Sequence, residues 1–424
     1  SLHGVRSVLF LAPPVRELLA EKFPDIEAVG VAGASRAMTP HQMEAALPAT
    51  FAALRSLGAR LFHYKVCSTF DSSPRIGSIG KVFEIGQRIF DSKFVPLLVG
   101  APVLKRYCVF GNLFAAIGAD TFRLDRHPMI SRHPVTPMQE SDLRRHLAEQ
   151  TDAPIALFDL LQQSGAAHEV DERFMAVCCG TGYEPVPPIV LFDTLDDERL
   201  KTAGRLIWES DARFVIGSSG VEYALAAHWQ RPRVTYPSAG AVERLIVIAG
   251  SCSTATRAQI EWAEANGYAS LRMDAAALLS DSDNERARLR QAALPLLETA
   301  RGLVLYSARG PNDALMQASK DALQQSGFDE LTIRERLGEQ QGLLLRELLQ
   351  ASGLRRACVA GGDTSSHVVS QLGITALELL TPMFPGSPLC RAYADGEFDG
   401  LQLAMKGGQH GRPDYFECVR KGFY

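Results

Sequence analysis

Features that define several specialised protein classes are missing from these 424 residues. No uninterrupted apolar run approaches the roughly 20 residues that a membrane-spanning helix needs. The formal net charge is only -4, and acidic and basic residues are mixed along the chain, which excludes a basic stripe for nucleic acid and a polybasic membrane anchor. The first residues lack the pattern of a secretion signal. These absences favour a cytoplasmic protein that acts on small molecules.

Cysteine pairs with the spacing of a metal site are also missing. The eight cysteines are scattered, mostly within apolar stretches, and none has the C-x-x-C spacing typical of a zinc site. They therefore predict buried thiols in a reducing cytosol, with neither disulfides nor a cysteine-bound metal. The 46% hydrophobic and 22% charged residues instead describe an ordinary globular α/β protein.

The chain divides into two halves of similar pattern. In each, short β-branched runs alternate with longer amphipathic stretches, which is the pattern of βαβ units that build a parallel sheet. Between the halves, QRPRVTYPSAGAVER has two prolines, small residues and no apolar period. We predict an α/β protein of two domains, residues 1–229 and 245–424, joined by a linker at 230–244. Each domain is expected to hold a mainly parallel sheet flanked by helices, with the active site in the cleft between them.

The stretch CVAGGDTSSHVV, residues 358–369, joins a buried strand to a helix. Its glycines allow a ligand to approach the backbone closely, and free N–H groups at a helix N-terminus attract an anion. The stretch is neither a Walker A motif nor GxGxxG. A tight turn whose hydroxyl groups only cap the helix therefore explains this stretch equally well.

Three neighbouring segments of the second half favour ligand binding over a simple turn. GSCST at 250–254 follows the first strand after the linker, and PGSP at 385–388 and KGGQHG at 406–411 come later. Ligands of open parallel sheets bind outside the carboxyl ends of the strands, so these segments are expected to face one crevice. Beside its glycines, Lys406 is interpreted as an anion-binding residue in preference to a solvated surface lysine.

The first half carries an unusually polar strand end in HYKVCSTFDSSP, residues 63–74. The preceding strand ends at Ser35 and Arg36. Lysine, arginine and several hydroxyl groups at adjacent strand ends suit a small polyhydroxylated anion such as a sugar acid. Capping combined with a surface ion pair is an equal alternative. The His, Asp and Arg residues of 123–134 lack metal-ligand order, and their histidines are interpreted as satisfied loop residues.

Together these stretches resemble the four-carbon acid sugar kinase family over essentially the whole chain. The matching segments are HYKVCSTFDSSP, LLVGAPVLKRYCVFGN, SRHPVTPM, GSCS, VAGGDTSS, PGSPLCRA and KGGQHG. The resemblance implies a sugar-acid-binding N-terminal domain and an ATP-binding C-terminal domain, with Mg²⁺ accompanying ATP. It also implies phosphorylation of a primary hydroxyl of a substrate such as threonate, erythronate or 3-oxo-tetronate.

The resemblance assigns roles to residues of this sequence. The implied substrate-binding residues are Ser35, Arg36, Lys65, Cys67, Ser68, Thr69 and Arg106. The implied nucleotide-binding residues are Ser251, Ser253, Gly361, Gly362, Asp363, Thr364, Gly386, Lys406, Gly407 and Gly408. Asp363 and Asp71, in that order, are the candidates for metal support or catalytic base, and no metal ligand is assigned.

One departure concerns the start of the chain. Members of the family usually open with a strand that ends in Asp-Asp-x-Thr-Gly-Ala, and this acidic motif is absent here. Either the sequence lacks its natural start or this member has lost a substrate-binding acid. We expect truncation, because removing the first strand of a parallel sheet would expose its apolar neighbours.

Substrate, activity class and assembly each keep an alternative. The Cys-Ser-Thr-Phe-Asp loop is closer to the 3-oxo-tetronate branch than to the threonate branch, and 3-oxo-isoapionate stays open as a substrate. A non-catalytic sugar-acid sensor is the alternative to a kinase. A hydrolase or a dehydrogenase is disfavoured because the sequence has no GxSxG elbow and no GxGxxG after its first strand. The sequence leaves the oligomeric state open, with a homodimer through an exposed sheet edge as one option.

Overall fold

The computed structural model describes residues 1–132, 135–179, 188–311, 313, 330–362 and 364–423. The backbone forms two compact units. One, which we call the large-sheet unit, comprises Ser1–Ala12, Asp25–Ala32 and Arg233–Tyr424. The other, the small-sheet unit, comprises Pro13–Pro24 and Gly33–Pro232.

The strands of the described residues are numbered in chain order. They are β1 (Ser7–Phe10), β2 (Ala28–Val31), β3 (Phe62–Lys65), β4 (Val95–Leu98), β5 (Arg106–Val109), β6 (Asn112–Ile117), β7 (Asp120–Arg123), β8 (Ile155–Phe158), β9 (Ile189–Phe192), β10 (Phe214–Gly217), β11 (Leu245–Ala249), β12 (Ala269–Arg272), β13 (Gly302–Tyr306), β14 (Arg356–Ala360), β15 (Ile374–Phe384), β16 (Ser387–Ala394) and β17 (Gln402–Lys406).

The α-helices of the described residues are numbered in the same way. They are α1 (Arg16–Lys22), α2 (Pro40–Ser56), α3 (Ile79–Ile89), α4 (Leu143–Ala148), α5 (Ala167–Cys179), α6 (Asp197–Glu209), α7 (Gly220–His228), α8 (Thr254–Ala265), α9 (Ala277–Ser280), α10 (Ser282–Thr299), α11 (Glu330–Ser352), α12 (Thr364–Ser370) and α13 (Tyr415–Lys421). Short 3₁₀ helices lie at Ser35–Ala37, Pro102–Leu104, Leu124–Arg126 and Ile130–Arg132.

The large-sheet unit is built on a nine-stranded sheet of order β12-β13-β11-β14-β17-β16-β15-β1-β2. In this order, the first five strands, from β12 through β17, run parallel to one another, and so do β1 and β2 at the other end. Strands β16 and β15 lie between these two groups, and each pairs antiparallel with its neighbours. Strands β11, β13 and β14 are buried along their whole length, as expected for a parallel sheet covered by helices on both faces. The predicted α/β class and mainly parallel sheet are confirmed.

Strands β1 and β2 lie in this large sheet, whereas the predicted boundaries assign them to the first domain. Val8 of β1 pairs with Glu378 of β15, and Phe10 pairs with Ala376. Val8 and Phe10 are buried by this pairing. Alternation along a strand indicates that one face is buried, but it carries no information on which sheet buries that face.

The predicted linker is fixed to the large-sheet unit from residue 233 onward. Arg356 of β14 is only 1% exposed, and its guanidinium donates hydrogen bonds to the carbonyls of Ala239 and Gly240. The same guanidinium donates to the carbonyls of Val419 and Arg420 at the end of α13. A segment without regular structure is therefore held in place by a buried cation.

The small-sheet unit holds a five-stranded parallel sheet of order β3-β10-β4-β9-β8. A separate antiparallel sheet, β5-β6-β7, begins with the β5–β6 hairpin. Its turn residues Phe110 and Gly111 both have positive φ, of 49° and 78°. Their N–H groups donate to buried Asp193, at 2.6 and 2.8 Å, and so tie the hairpin to the carboxyl end of β9.

Two predictions from composition can be compared with the structure. Within the part of the chain that the structure describes, no helix combines the length and the apolar character needed to cross a membrane. The cysteines whose side chains are described are free thiols. Most are buried or partly buried as predicted, but Cys252 is exposed in the loop after β11.

Candidate active site

The predicted nucleotide-binding loops of the large-sheet unit start side by side at the carboxyl edge of its sheet. Ala249 of β11 pairs with Ala360 of β14, and Ala360 pairs with Lys406 of β17. The N–H of Gly250 donates to the Ala360 carbonyl at 3.0 Å, and the N–H of Gly361 donates to the Lys406 carbonyl at 3.0 Å. The three loops that begin here are the ones that the sequence singles out.

The glycine turn after β17 is bound to the start of α8. The hydroxyl of Ser253 accepts the Thr256 N–H as the helix N-cap, and the hydroxyls of Ser253 and Thr256 both donate to the carbonyl of Gly408. A Cβ atom at Gly408 would lie 2.2 Å from the hydroxyl oxygen of Ser251. Since no side chain fits there, the glycine allows this close contact between the two loops.

Lys406 is the buried cation of this edge. Its side chain is 2% exposed, and its Nζ donates to the Thr256 hydroxyl at 3.0 Å and to the Gly408 carbonyl at 3.2 Å. Burial lowers the pKa of Lys406 to about 8. Among the described residues no carboxylate pairs with it. A buried ammonium without a carboxylate partner suits a site that receives an anion.

The β15–β16 hairpin contributes Gly386 to the same region. Gly386 has a φ of 76°, and a Cβ there would lie 3.4 Å from the His410 ring. The next residue, Ser387, places its hydroxyl 3.3 Å from Nδ1 of His410. A Cβ at Gly407 would also be 3.3 Å from that ring, so His410 packs between the hairpin and the glycine turn.

The glycine loop after β14 is open towards solvent. Gly361 is buried and Gly362 is exposed, and a Cβ at Gly362 meets no described atom within 4 Å. The Ser365 hydroxyl donates to the Gly361 carbonyl at 2.9 Å and so binds the start of α12 to the loop. The predicted residue Asp363 lies outside the described residues, as does the side chain of Thr364.

We expect the affinity for ADP to fall as the pH rises through about 8, where unliganded Lys406 loses its proton. A bound phosphate favours the charged ammonium form of Lys406. Below that pH the lysine is already charged before ADP binds, so the affinity for ADP is at its full value. The loss should approach tenfold per pH unit above it. Cys358 stays protonated in this range because burial raises its pKa to about 12, and burial lowers the pKa of His410, which keeps it neutral.

The measurement is calorimetric titration of ADP from pH 7 to 9.5. Both proteins compared carry Cys252→Ser, which removes the exposed thiol of the loop after β11. Lys406→Met in that background should bind ADP weakly and without the pH dependence. A flat profile in the protein that retains Lys406 would contradict an anion-binding role for this residue.

The predicted substrate-binding segments of the small-sheet unit are also packed together. The N–H of Gly77 donates to the Met38 carbonyl at 2.8 Å, and a Cβ at Gly77 would lie 2.6 Å from the Arg36 carbonyl. The Ser35 hydroxyl is hydrogen-bonded to the Tyr64 hydroxyl at 2.7 Å. The structure therefore brings the Ser35–Arg36 turn against the loop that follows β3.

A line of polar groups within that loop ends at Asp71. The Cys67 thiol lies 2.9 Å from the Thr69 hydroxyl, which donates to Asp71 at 2.7 Å. Arg36 approaches the other carboxylate oxygen at 3.8 Å, with its own side chain 60% exposed and that of Asp71 10% exposed. Ser68 of the same loop is partly buried. Asp71 thus accepts a hydrogen bond on one carboxylate oxygen and has a guanidinium near the other.

The loop is held in a strained conformation. Phe70 has a φ of 56°, which is uncommon for a bulky residue, and its side chain is fully buried. Ser72 donates to the Phe70 carbonyl at 3.0 Å and accepts from the Gln150 amide at 3.0 Å. Nε2 of His146 lies 3.0 Å from the same hydroxyl. These contacts with the α4 region fix the backbone that carries Asp71.

Lys65 ends β3, and its ammonium is exposed. Lys65 and His63 both interact electrostatically with Glu222, and Nδ1 of His63 lies 3.3 Å from the Glu222 carboxylate. Burial raises the pKa of Glu222, but the neighbouring His63 and Lys65 outweigh burial and leave the pKa below its ordinary value.

Arg106 lies near the loop that follows β3 and contains Cys67. Its Nη1 donates to the carbonyls of Leu104 and Lys105, each at 3.1 Å. Its Nε is buried and has no hydrogen-bond partner among the described residues. Burial lowers the pKa of Arg106, and the Cys67 thiol is close enough to act on it electrostatically. A cation with one unused buried donor is therefore available to a ligand.

Sequence reasoning missed several side chains of these two regions. Thr256 and Gln259 hold the glycine turn, Gln259 by donating to the carbonyls of His410 and Arg412 at 2.9 and 3.1 Å. Thr256 lies three residues after the N-cap Ser253, a spacing that could have pointed to it. Gln259 has no such signal, because its role depends on a segment about 150 residues further on.

No group of three or more His, Cys, Asp or Glu side chains within the described ranges is arranged to hold a metal ion. Mg²⁺ in phosphoryl-transfer sites is commonly bound by one or two carboxylates together with the phosphates of the substrate. Such a site therefore does not require three or more protein ligands arranged around the metal ion.

Comparison with known proteins distinguishes a kinase from a non-catalytic sugar-acid sensor. Residues 1–225 match the family described as "Sugar-binding N-terminal domain", and residues 246–416 match "Nucleotide-binding C-terminal domain". The chain belongs to the four-carbon acid sugar kinase family. The two matched segments contain the two groups of residues described above, and this family member is therefore a carbohydrate-acid kinase that uses ATP.

Two curated members of the family are similar over nearly the whole chain. A 3-oxo-isoapionate kinase from Paraburkholderia graminis is 44% identical over 99% of this chain and 90% of its own length. A 3-oxo-tetronate kinase from Methylobacterium radiotolerans is 33% identical over 97% of this chain and 92% of its own length. The predicted kinase activity is confirmed by these relatives.

Solved structures show the same fold. The Haemophilus influenzae protein HI1011 matches 99% of this chain and 94% of its own chain, with a TM-score of 0.74 and 23% identity. A protein from Salmonella typhimurium LT2 matches 100% of this chain and 94% of its own chain, with a TM-score of 0.77 and 23% identity. At this level of identity the likeness concerns the fold alone.

Proposed function

We propose that this kinase transfers the γ-phosphoryl group of ATP to a primary hydroxyl of a 3-oxo acid sugar, with 3-oxo-isoapionate as the preferred substrate. The higher identity with the 3-oxo-isoapionate kinase than with the 3-oxo-tetronate kinase supports this order. It favours the branched oxo acid over 3-oxo-tetronate, to which the Cys-Ser-Thr-Phe-Asp loop alone points. The observation that carries the proposal is the row of phosphate-type loops beside buried Lys406.

On the nucleotide side, the phosphates bind at the carboxyl edge of the large sheet. Exposed Gly362 lets them approach the backbone, and Ser251 and Ser253 line the facing loop. Lys406 supplies positive charge and keeps the carbonyl of Gly408 in place. Binding and orientation of this kind account for most of the catalysis of phosphoryl transfer.

On the acid side, Arg36, Lys65 and Arg106 neutralise the carboxylate and neighbouring oxygens of the substrate. Asp71, held by Thr69, accepts the proton of the primary hydroxyl as its oxygen attacks the γ-phosphorus. The bond between that phosphorus and the β,γ-bridging oxygen breaks, and ADP leaves. Direct transfer requires the reacting atoms within about 3–3.5 Å of each other. The active-site cleft that the sequence predicts is therefore part of this proposal.

Mg²⁺ completes the proposed set of ligands. When bound, it neutralises phosphate charge and orients the γ-phosphoryl group. Asp363 remains the proposed carboxylate for it, on the basis of the sequence alone. The proposal also includes a cytoplasmic location, where free thiols such as Cys252 stay reduced, and leaves a homodimer as an option.

The test is ATP-dependent release of ADP with a panel of acids: 3-oxo-isoapionate, 3-oxo-tetronate, threonate and erythronate. We expect kcat/KM to be highest for 3-oxo-isoapionate and lowest for the two acids without a 3-oxo group. Fastest turnover of threonate or erythronate would overturn the substrate proposal. Binding of an acid with no ADP release would favour the sensor interpretation instead.

A further inference from the structure

The side-chain hydroxyl of Tyr64 contacts that of Ser35, one of the predicted substrate-binding residues. Tyr64 lies one residue before the end of β3, and Ser35 begins the 3₁₀ helix Ser35–Ala37. Their oxygens are 2.7 Å apart, although 29 residues separate them along the chain. Neither hydroxyl has another hydrogen-bond partner among the described residues. Tyr64 itself is not among the predicted site residues.

The ring of Tyr64 is fixed by the hydrophobic core of the small-sheet unit. It packs edge-on against Phe51 of α2, with 6.1 Å between ring centroids, and Phe51 is itself buried. The backbone of Tyr64 is fixed as well, because β3 pairs with β10 and places Tyr64 opposite Ile216. A tyrosine side chain has only two rotatable bonds before its ring. The phenol oxygen therefore keeps one position against Ser35.

The Ser35 hydroxyl is not used by the turn that carries it. The turn is closed by backbone hydrogen bonds, in which the Ser35 carbonyl accepts the Met38 N–H at 3.1 Å and the Ala34 carbonyl accepts the Ala37 N–H at 2.9 Å. A serine hydroxyl offers one donor and two acceptor positions, and its proton rotates to suit its partners. The contact with Tyr64 therefore fixes the orientation of the Ser35 hydroxyl.

The chemistry of the two hydroxyls decides which of them donates. Burial raises the pKa of Tyr64 above its ordinary value, and the hydrogen bond with Ser35 offsets only part of that rise, so the phenol keeps its proton at neutral pH. A phenol is a stronger donor than an aliphatic alcohol because it is more acidic, and its oxygen is the weaker acceptor because the ring shares its electrons. Tyr64 therefore donates to Ser35, and the Ser35 proton is directed elsewhere.

We propose that Tyr64 is a positioning residue of the acid site, which donates to Ser35 and so directs the Ser35 proton to an oxygen of the acid sugar. The inference rests on the proposed function, in which the acid binds beside the Ser35–Arg36 turn. Ser35 is only partly buried, and the guanidinium of the adjacent Arg36 approaches the proposed base Asp71 at 3.8 Å. A sugar acid is rich in oxygens that accept the bond that Ser35 then offers.

Tyr64→Phe removes the hydroxyl and keeps the ring that packs on Phe51. We expect it to weaken acid binding about three- to tenfold, as for one neutral hydrogen bond, and to leave ADP affinity unchanged. The measurement is calorimetric titration of the full chain with ADP and, separately, with the panel acid that the wild type binds most tightly. The control, Tyr393→Phe, removes a hydroxyl that donates to Glu378 in the large-sheet unit, and should bind both ligands as the wild type does.

Two further backgrounds separate this role from general support of the turn. Tyr64→Phe should cause no further loss of acid affinity in Ser35→Ala, but should keep its full effect in Arg36→Met. A further loss in Ser35→Ala, or no effect in Arg36→Met, would overturn the proposal. Unchanged acid affinity in Tyr64→Phe alone, or an equal loss of ADP affinity, would also overturn it. Acid binding is measured without turnover, so failure of the proposed substrate order in the ADP-release assay is a separate result.

Discussion

Gly362→Val should weaken ADP binding by more than about a hundredfold while leaving the unfolding temperature unchanged. In the unliganded protein a Cβ at Gly362 meets no described atom within 4 Å, so the valine causes no clash that would destabilise the fold. The space that the side chain fills is the space through which phosphates would approach the backbone. Calorimetry with ADP and a thermal melt of the same sample measure the two effects.

Gly396→Val is the matched control. A Cβ at Gly396 also meets no described atom within 4 Å, but this residue follows β16, which runs antiparallel to β17 and ends at the opposite edge of the sheet. We expect wild-type ADP affinity from this variant. Normal ADP affinity in a folded Gly362→Val protein would show that the loop after β14 does not receive the phosphates.

Arg106→Met should lower kcat/KM for the acid sugar about a hundredfold and change KM for ATP little. A charge-assisted hydrogen bond is worth roughly 1.5–3 kcal/mol, which corresponds to about ten- to a hundredfold, and Arg106 also supplies charge from a partly desolvated position. Arg106→Lys should recover only part of the activity, because an ammonium lacks the planar donor arrangement of a guanidinium. Steady-state kinetics with each substrate varied in turn measures both.

Arg55→Met provides the comparison for Arg106. Arg55 also donates to a backbone carbonyl, that of Ile89, but it lies in the last turn of α2, at the edge of the sheet where β3 begins. Replacing it removes an arginine from the same unit without touching the loops at the carboxyl edge, so we expect wild-type kinetics. Equal losses in the two variants would assign the effect of Arg106→Met to general destabilisation.

The local sequence predicts most elements near the site correctly, for reasons that act over a few residues. Apolar runs bounded by glycines and small polar residues predict β11, β14 and β17, and parallel strands of one unit end at the same edge. The Phe110–Gly111 turn follows from a dipeptide that tolerates positive φ at its glycine. The motifs also identify the family, which the comparison confirms.

The placement of β1 and β2, by contrast, was decided by pairing between distant segments. Val8 pairs with Glu378, some 370 residues away along the chain, and nothing in the alternation of residues 5–12 names that partner. The linker likewise looks unstructured in sequence, yet buried Arg356 binds its carbonyls. Both outcomes depend on which surfaces meet, and a local pattern carries no such information.

By itself, the sequence determined the α/β class, the two-part organisation, the family and the loops in which ligands are expected. Only the tertiary structure decided the chemical state of individual side chains in those loops. Lys406 is an ordinary lysine in the sequence, and its low pKa arises from burial beside Thr256. Burial likewise raises the pKa of Tyr64, which packs on Phe51 and is hydrogen-bonded to Ser35. Burial and hydrogen bonding depend on neighbours supplied by the whole fold, whereas strand and turn formation depend mainly on adjacent residues.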